Sequence, residues 1–594
     1  MSSDQLQSQV HAQRRGLLPS GLPEAVEIFD TTLRDGSQQE GLSLTVDDKL
    51  RVAEQLDHLG VAYIEGGWPG ANPKDEEFFA RAPAELRLST ATLVAFGSTR
   101  RAKVRAEDDE VLRQLVKANT ETVCIVAKAS ELHVKEALRT TLEEALAMAS
   151  DSVRFLREHG LRVFFDAEHF FDGYRENPEF TIRALRAAEE AGAETLVLCD
   201  TNGGSLPHEV EQAVASVASQ FDCQVGVHFH NDSGCAVANS IAAVRAGATH
   251  VQGCVNGYGE RTGNADLSVV IGDLSLKLGV HTIPSERLER LTPVSHHIAE
   301  LVNIAPNPQQ PYVGAAAFAH KAGLHASAIA RRRDTYEHIV PDSVGNGTRF
   351  VVSEMAGRST LALKATELGL ELDSKAMEEV LDTLKTLEHH GYHFAVADGS
   401  LELLLRRAAG WKPDFFELES FRVISDCDVV TNDDAVSKRN VSTKRNVSTK
   451  RNAVSNGAAS KSSSPASDRL VPDATSRFDD PTRHTTEATV RVVVGGTRVL
   501  STAQGNGPVN ALDSALRRAI DSHFPALERI HLTDYRVRVL DSTRATAAVT
   551  RVLIDTTDGE RTWTTIGVSE NIIEASWQAL FDSIVYGLLL YHPS

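Results

Sequence analysis

The 594-residue sequence predicts an α/β protein: a (β/α)8 TIM barrel, then helical linker subdomains, then a C-terminal α+β domain. Three observations carry this. Short β-rich runs alternate with helix-like stretches over roughly 230 residues, the mark of repeated βα units. Polar residues with catalytic potential sit at the downstream ends of those runs, where barrel enzymes place their chemistry. A second set of alternating runs lies near the C-terminus, beyond a low-complexity segment.

The β-rich runs are Glu27–Thr32, Tyr63–Gly67, Leu88–Phe96, Thr122–Lys128, Arg162–Glu168, Thr195–Thr201, Gln224–Asn231 and His250–Asn256. Amphipathic stretches such as TVDDKLRVAEQLDHLG and PHEVEQAVASVASQF separate them. A doubly wound sheet is the runner-up. The glycines of GYGERTG have the wrong spacing for a dinucleotide fingerprint. The expected organisation is an N-terminal extension at 1–24, the barrel at 25–285, linker subdomains at 286–412 and the C-terminal domain at 413–594. An insert at about 431–485 interrupts the last. It holds the six-residue repeat KRNVST within Ser437–Asn452, then a serine-rich stretch, and no core-forming pattern, so a disordered spacer is expected.

Composition narrows the function. A formal charge of −20 disfavours non-specific nucleic-acid binding. No apolar run approaches a membrane span, and Met1–Arg15 has no signal-peptide core. Six cysteines without a CxxC pair argue against a disulfide framework or zinc ribbon and suit a cytoplasmic setting.

The run ends hold the chemistry. In VHFHND, His228 and His230 are two apart on a strand, so both imidazoles project to one face and can chelate one ion. Runs seven, eight and one are neighbours in a closed barrel, so Asp35 and Asn256 are expected to join them. Such nitrogen and oxygen donors suit zinc, manganese, magnesium or cobalt. Arg34, beside Asp35, would be a fixed cation near any oxygen the ion polarises, and Gly36 would permit close backbone approach.

With these residues in place, DTTLRDGSQ, VHFHND, VNGYGERTGN and KAGLHASAI together resemble the 2-isopropylmalate, homocitrate and citramalate synthase family. The resemblance spans nearly the whole chain, and Ile64–Asp75 and Thr335–Ile339 are most similar to its citramalate branch. It implies a metal-dependent condensation of acetyl-CoA with a 2-oxo acid, followed by thioester hydrolysis. Carried over by motif, Asp35, His228, His230 and Asn256 match metal positions, and Arg34 matches the arginine that stabilises the developing oxyanion. Glu168 and His325 match residues near the reacting groups. Gln38 and Thr201 match positions that orient the 2-oxo acid, and Tyr336 matches a tyrosine that reaches the site in the homocitrate branch. The preference for pyruvate, an (R) product, a homodimer and isoleucine as effector rest on the resemblance alone. Trp68 could narrow the substrate pocket, whereas Lys128 would suit a longer diacid unless it pairs with a carboxylate. A metal-dependent acyl-CoA lyase and a non-catalytic amino-acid sensor are the readings from other classes.

The C-terminal runs ELESFRVIS, TEATVRVVVGG, DYRVRVLDS and AAVTRVLIDTTDG alternate like half-buried strands. Helical stretches follow two glycine turns, with Asn510-Ala511-Leu512 and Asn571-Ile572-Ile573 in similar places, which suggests an internal duplication. The resemblance makes this a regulatory domain, and the helix starts are reasonable carboxylate sites.

Overall fold

In the computed structural model the eight expected runs close into one all-parallel barrel, in sequence order, with the last strand bonded back to the first. The structure describes residues 21–321, 323–352, 357–427, 484–540 and 548–592. The KRNVST repeat, the serine-rich stretch and nearly all of the N-terminal extension lie outside the described residues. The strands are β1 (Glu27–Asp30), β2 (Tyr63–Gly67), β3 (Thr92–Ser98), β4 (Thr122–Lys128), β5 (Arg162–Glu168), β6 (Thr195–Asp200), β7 (Gln224–Phe229) and β8 (His250–Gly253). β3 starts at Thr92 rather than Leu88. The Asp57 carboxylate accepts the backbone N–H groups of Ser89, Thr90 and Ala91 at 2.8–3.0 Å, which holds that segment in a turn.

The helices start and stop where local chemistry directs. Thr45 and Asp48 form a reciprocal capping box at the start of Val46–Leu59. Gly60 ends that helix at φ 97°, a left-handed cap, and a Cβ there would meet Pro284 at 2.6 Å. Asn72 caps Pro73–Glu85, with proline in the first turn.

The lower barrel interior is filled by rings. Phe29, Tyr63, Phe164 and His250, from β1, β2, β5 and β8, pack with centroids 5.0–6.2 Å apart, all buried. The upper interior, toward the C-terminal strand ends, is polar: Asp35, Glu65, Asp166, His228, His230 and Gln252 are all buried there. This placement follows from strand alternation, which sends His228 and His230 inward together.

The chain forms two compact units. One holds the barrel and the chain through His320, with the helix Leu291–Leu301, and also Leu324–Phe350. The expected linker stretch 286–412 is therefore divided, since Val351 onward belongs to the second unit. That unit contains the helices Arg358–Glu367, Ser374–His389 and Asp398–Ala408, followed by two three-stranded antiparallel sheets. Each sheet is followed by a helix, Pro508–Ile520 or Ile572–Tyr591, giving a βββα unit twice. The sheet strands Thr497–Gly505 and Thr562–Ser569 were not among the expected runs. The first returns through Gly495 and Gly496, at φ 57° and 74°, as a tight hairpin requires. Among the described residues, no helix is long and apolar enough to cross a membrane.

Candidate metal centre and active site

The DTTLRDG stretch builds the rim of the site from its own side chains. Asp30, the last residue of β1, accepts from Thr32 N and Oγ1 at 2.9 and 3.0 Å and from Val255 N at 3.1 Å. This ties the end of β1 to the loop after β8. Burial raises the Asp30 carboxyl to about 6 against those donors, of which the Thr32 N–H is the strongest. The chain then turns, and a Cβ on Gly36 would lie 3.3 Å from Cys254 Sγ and 3.4 Å from Tyr258 Cβ, a close approach that favours glycine.

The turn delivers Asp35 to the two histidines. His228 Nε2 lies 3.2 Å and His230 Nε2 3.7 Å from Asp35 Oδ2. All three residues are buried, and their ligand atoms fall within 4.8 Å of one another, a grouping that could hold one metal ion. Burial works against the Asp35 charge, but Arg34 and then His228 hold its carboxyl well below the usual carboxylate range. Burial, with His228 beside it, lowers His230 to about 4, so its ring is neutral and able to ligate.

Arg34 is held on three sides. Its Nε donates to Glu65 Oε2 at 2.6 Å, its Nη1 lies 3.6 Å from Asp35 Oδ2, and its guanidinium carbon sits 3.9 Å from the Phe96 ring centre. Trp68 packs edge-on against Phe96 at 5.3 Å and so backs the ring that holds the arginine. Burial pushes Glu65 up to about 7 even though Arg34 pulls it down. Glu65 escaped the sequence reading. Its signal was an acid near the end of run two, inside the IEGGWPG stretch already singled out.

The other expected residues are placed as follows. Glu168 ends β5 and forms an ion pair with Lys128, its register partner on β4. Lys128 is thus occupied by a carboxylate, and Glu65 rather than Glu168 holds Arg34. Thr201 Oγ1 accepts from His169 N at 3.0 Å. Gln38 is exposed in the short turn Gly36–Gln38. His325 and Tyr336 stack on each other with centroids 4.0 Å apart. Among the described residues no hydrogen bond or ion pair joins either ring to the Asp35 cluster.

Asn256 is taken elsewhere. Its Nδ2 donates to Tyr258 Oη and Ser295 O, and its Oδ1 accepts from Ser295 Oγ and Gln310 Nε2. The amide that does face the cluster is Asn264. It forms an isolated antiparallel bridge with His230, it is buried, and its Oδ1 has no hydrogen-bond partner among the described residues. Directly paired residues project to the same side, so the free Oδ1 and the His230 ring share a face. The sequence signal was the asparagine of ERTGN, eight residues past the one chosen.

Comparison with known proteins bears on what this site serves. An HMGL-like family model matches residues 25–294, a homocitrate synthase post-HMGL domain-like model matches 312–391, and a LeuA allosteric (dimerisation) domain matches 477–588. An (R)-citramalate synthase of Streptomyces coelicolor is 48% identical over 573 residues, covering 96% of this chain and 98% of that one. The chain belongs to the (R)-citramalate synthase family. Another family member, from Aquifex aeolicus, is 46% identical over 96% of this chain and 98% of its own. Homocitrate synthase AksA of Methanopyrus kandleri is 37% identical over 66% of this chain and 95% of its own. Likeness to the (R)-citramalate synthases thus runs through the regulatory domain as well as the barrel. The LeuA match makes the duplicated βββα domain an allosteric one.

Proposed function

We propose that this chain is an acyltransferase that condenses acetyl-CoA with pyruvate and water to give (R)-citramalate and CoA, the entry step of the pyruvate route to isoleucine. The observation that carries this reading is likeness at 46–48% identity, over 96% of the chain, to proteins named (R)-citramalate synthase. The site supports it. Asp35, His228, His230 and Asn264 offer an acid, two imidazoles and an orphaned amide oxygen, which fits manganese, magnesium, zinc or cobalt. Such an ion would polarise the ketone of a 2-oxo acid.

The chain's own groups do the rest. Arg34, fixed by Glu65 and Phe96, presents Nη1 to the oxygen that gains charge as the carbon–carbon bond forms. A base removes one methyl proton from acetyl-CoA, and His325, stacked on Tyr336, is our candidate for proton transfer. Glu168 lies at the same rim as a further candidate, and Gln38 and Thr201 orient the 2-oxo acid. Water then cleaves the thioester, releasing CoA as the thiol and leaving the carboxylate of the product.

The setting we propose is a cytoplasmic homodimer regulated by isoleucine. Leu500 in the first sheet, and Tyr535, Val537 and Val539 on the edge strand His531–Val539 of the second, leave exposed apolar surface that a second copy would cover. A cavity of about 630 Å³ beside the helix Pro508–Ile520 is lined by Asp513, Arg517, Leu532 and Tyr535. Charges of both signs against an apolar wall suit a zwitterionic amino acid. The test is CoA thiol release from acetyl-CoA with added divalent metal, using pyruvate, 2-oxoisovalerate and 2-oxoglutarate in turn. Release with pyruvate alone, yielding citramalate, is expected. Preference for a longer acid would move the chain to another synthase reaction, and no release would revive the lyase and sensor readings.

A further inference from the structure

Beneath the ion cluster lies a second polar layer that no step above uses. Gln252 on β8 and Asp166 on β5 are both buried. Gln252 Oε1 is 2.9 Å from His228 Nδ1, while its Nε2 donates to Asp166 Oδ1 at 3.0 Å. His228 and Gln252 are register partners on β7 and β8, so the contact is set by the barrel itself.

The direction of this chain of bonds has a consequence for the ring. A carboxylate only accepts, so Asp166 holds the amide NH2 on its own side and turns the amide oxygen toward His228. Nδ1 must then carry the proton and donate it. Once the ring is neutral, Nε2 then keeps its lone pair, and Nε2 is the atom that faces Asp35. His230 has no such partner, since its Nδ1 is unbonded among the described residues. The two histidines are therefore not equivalent: one ring is oriented from behind and the other is not.

We infer that Gln252 and Asp166 are positioning residues that lock His228 in the Nδ1–H tautomer for ligation through Nε2. The interposed amide has an electrostatic logic. The interior already holds the carboxyl groups of Asp35, Glu65 and Asp166 against the one guanidinium of Arg34. A carboxylate directly on the ring would bring a charge still closer to Asp35, whereas the amide supplies an acceptor and keeps that charge one residue away. The opposite polarity is chemically possible: a protonated Asp166 would donate to the amide oxygen, and the amide NH2 would donate to Nδ1. It would leave Nε2–H facing Asp35, a tautomer that cannot ligate through Nε2.

This inference rests on the proposed metal site, and its test has one arm that does not. In full-length, metal-free protein with 15N-labelled histidine, the His228 signal is identified by its loss in His228→Gln. At a pH alkaline enough to neutralise the ring it should report Nδ1–H, and an Nε2–H signal would overturn the lock. The second arm is competition for Mn²⁺ against a chromophoric chelator. Gln252→Met should weaken binding by ~10–100-fold, the usual effect of losing an outer partner, with thermal unfolding as the check on folding. Asp166→Asn should weaken it less, because the amide remains but its orientation is no longer enforced. The double substitution Asp166→Asn/Gln252→Glu restores an acceptor to the ring and should recover most of the affinity. Wild-type affinity in folded Gln252→Met, or no recovery in the double variant, would refute the inference. Failure of the wild-type chain to bind any divalent ion would instead refute the metal-site reading, leaving the tautomer result to stand on its own.

Discussion

Two asparagines near the end of β8 make opposite predictions. Asn264 presents an oxygen with no partner among the described residues, where its side chain bonds only from Nδ2 to Tyr258 O, at 3.0 Å. Asn264→Ala therefore loses about one hydrogen bond of stability, ~1 kcal/mol. It also removes a direct ion donor, which should weaken metal binding at least as much as losing an outer partner does, ~10–100-fold or about 1.4–2.7 kcal/mol. Asn256 is the mirror case. It makes four hydrogen bonds, at 2.6–3.1 Å, within the barrel unit. At ~0.5–1.5 kcal/mol each, Asn256→Ala should cost roughly 2–6 kcal/mol of stability. Its φ of 62° adds to the cost, since alanine tolerates that region poorly. Metal affinity should change little. Chelator competition for Mn²⁺ measures the first quantity and thermal unfolding of metal-free protein the second. If Asn256→Ala abolishes metal binding while Asn264→Ala leaves it intact, the assignment of the fourth donor is wrong.

Three further outcomes are expected. Arg34→Lys keeps a cation but loses the fork between Glu65 and Asp35, so kcat should fall by ~10²–10³ with metal affinity nearly unchanged in the chelator assay. Asp57→Asn should cost about 1–3 kcal/mol near neutral pH. Burial disfavours the Asp57 charge, but the N–H groups of Ala91, Ser89 and Thr90 outweigh it and hold its pKa below the ordinary value. Its stabilisation is thus present above the unfolded-state pKa and is lost as pH falls through the lowered folded one. Urea unfolding of wild type and variant should therefore converge in acid, and a gap that persists there would count against this account. Deleting Ser437–Asn452 removes none of the proposed site residues, so turnover in the thiol-release assay should stay close to that of the full chain.

What was legible in the sequence divides along physical lines. Strand period and helix caps are local, so three of the barrel strands, β2, β4 and β5, have the bounds that the runs predicted. The HxH pair is local too, and Asp35 follows from barrel closure. Asn264 was not legible, because its approach to His230 is a single bridge between loops, invisible to any periodicity. Asn256 stood closer to the strand end, and both that proximity and the motif resemblance drew the assignment to it. Glu65 needed the side-by-side placement of β1 and β2 before its pairing with Arg34 could be seen. The hairpin strand Thr497–Gly505 turns most of its side chains outward, so it carried little apolar signal beyond the glycines before it.

The rings of Phe29, Tyr63, Phe164 and His250 make the barrel a vessel sealed at its base. Whatever reaches the Asp35 cluster must enter by the mouth and leave the same way. An ion held by Asp35, His228 and His230 would lie deeper than a 2-oxo acid entering from the mouth, so it would have to enter before that acid and leave after it. Saturating pyruvate should therefore slow the rate at which a chelator strips the ion, even where the equilibrium affinity of the empty site is modest. Turnover, on this view, is a matter of traffic through one door, and a resident ion would stay aboard while bound substrate covers its exit.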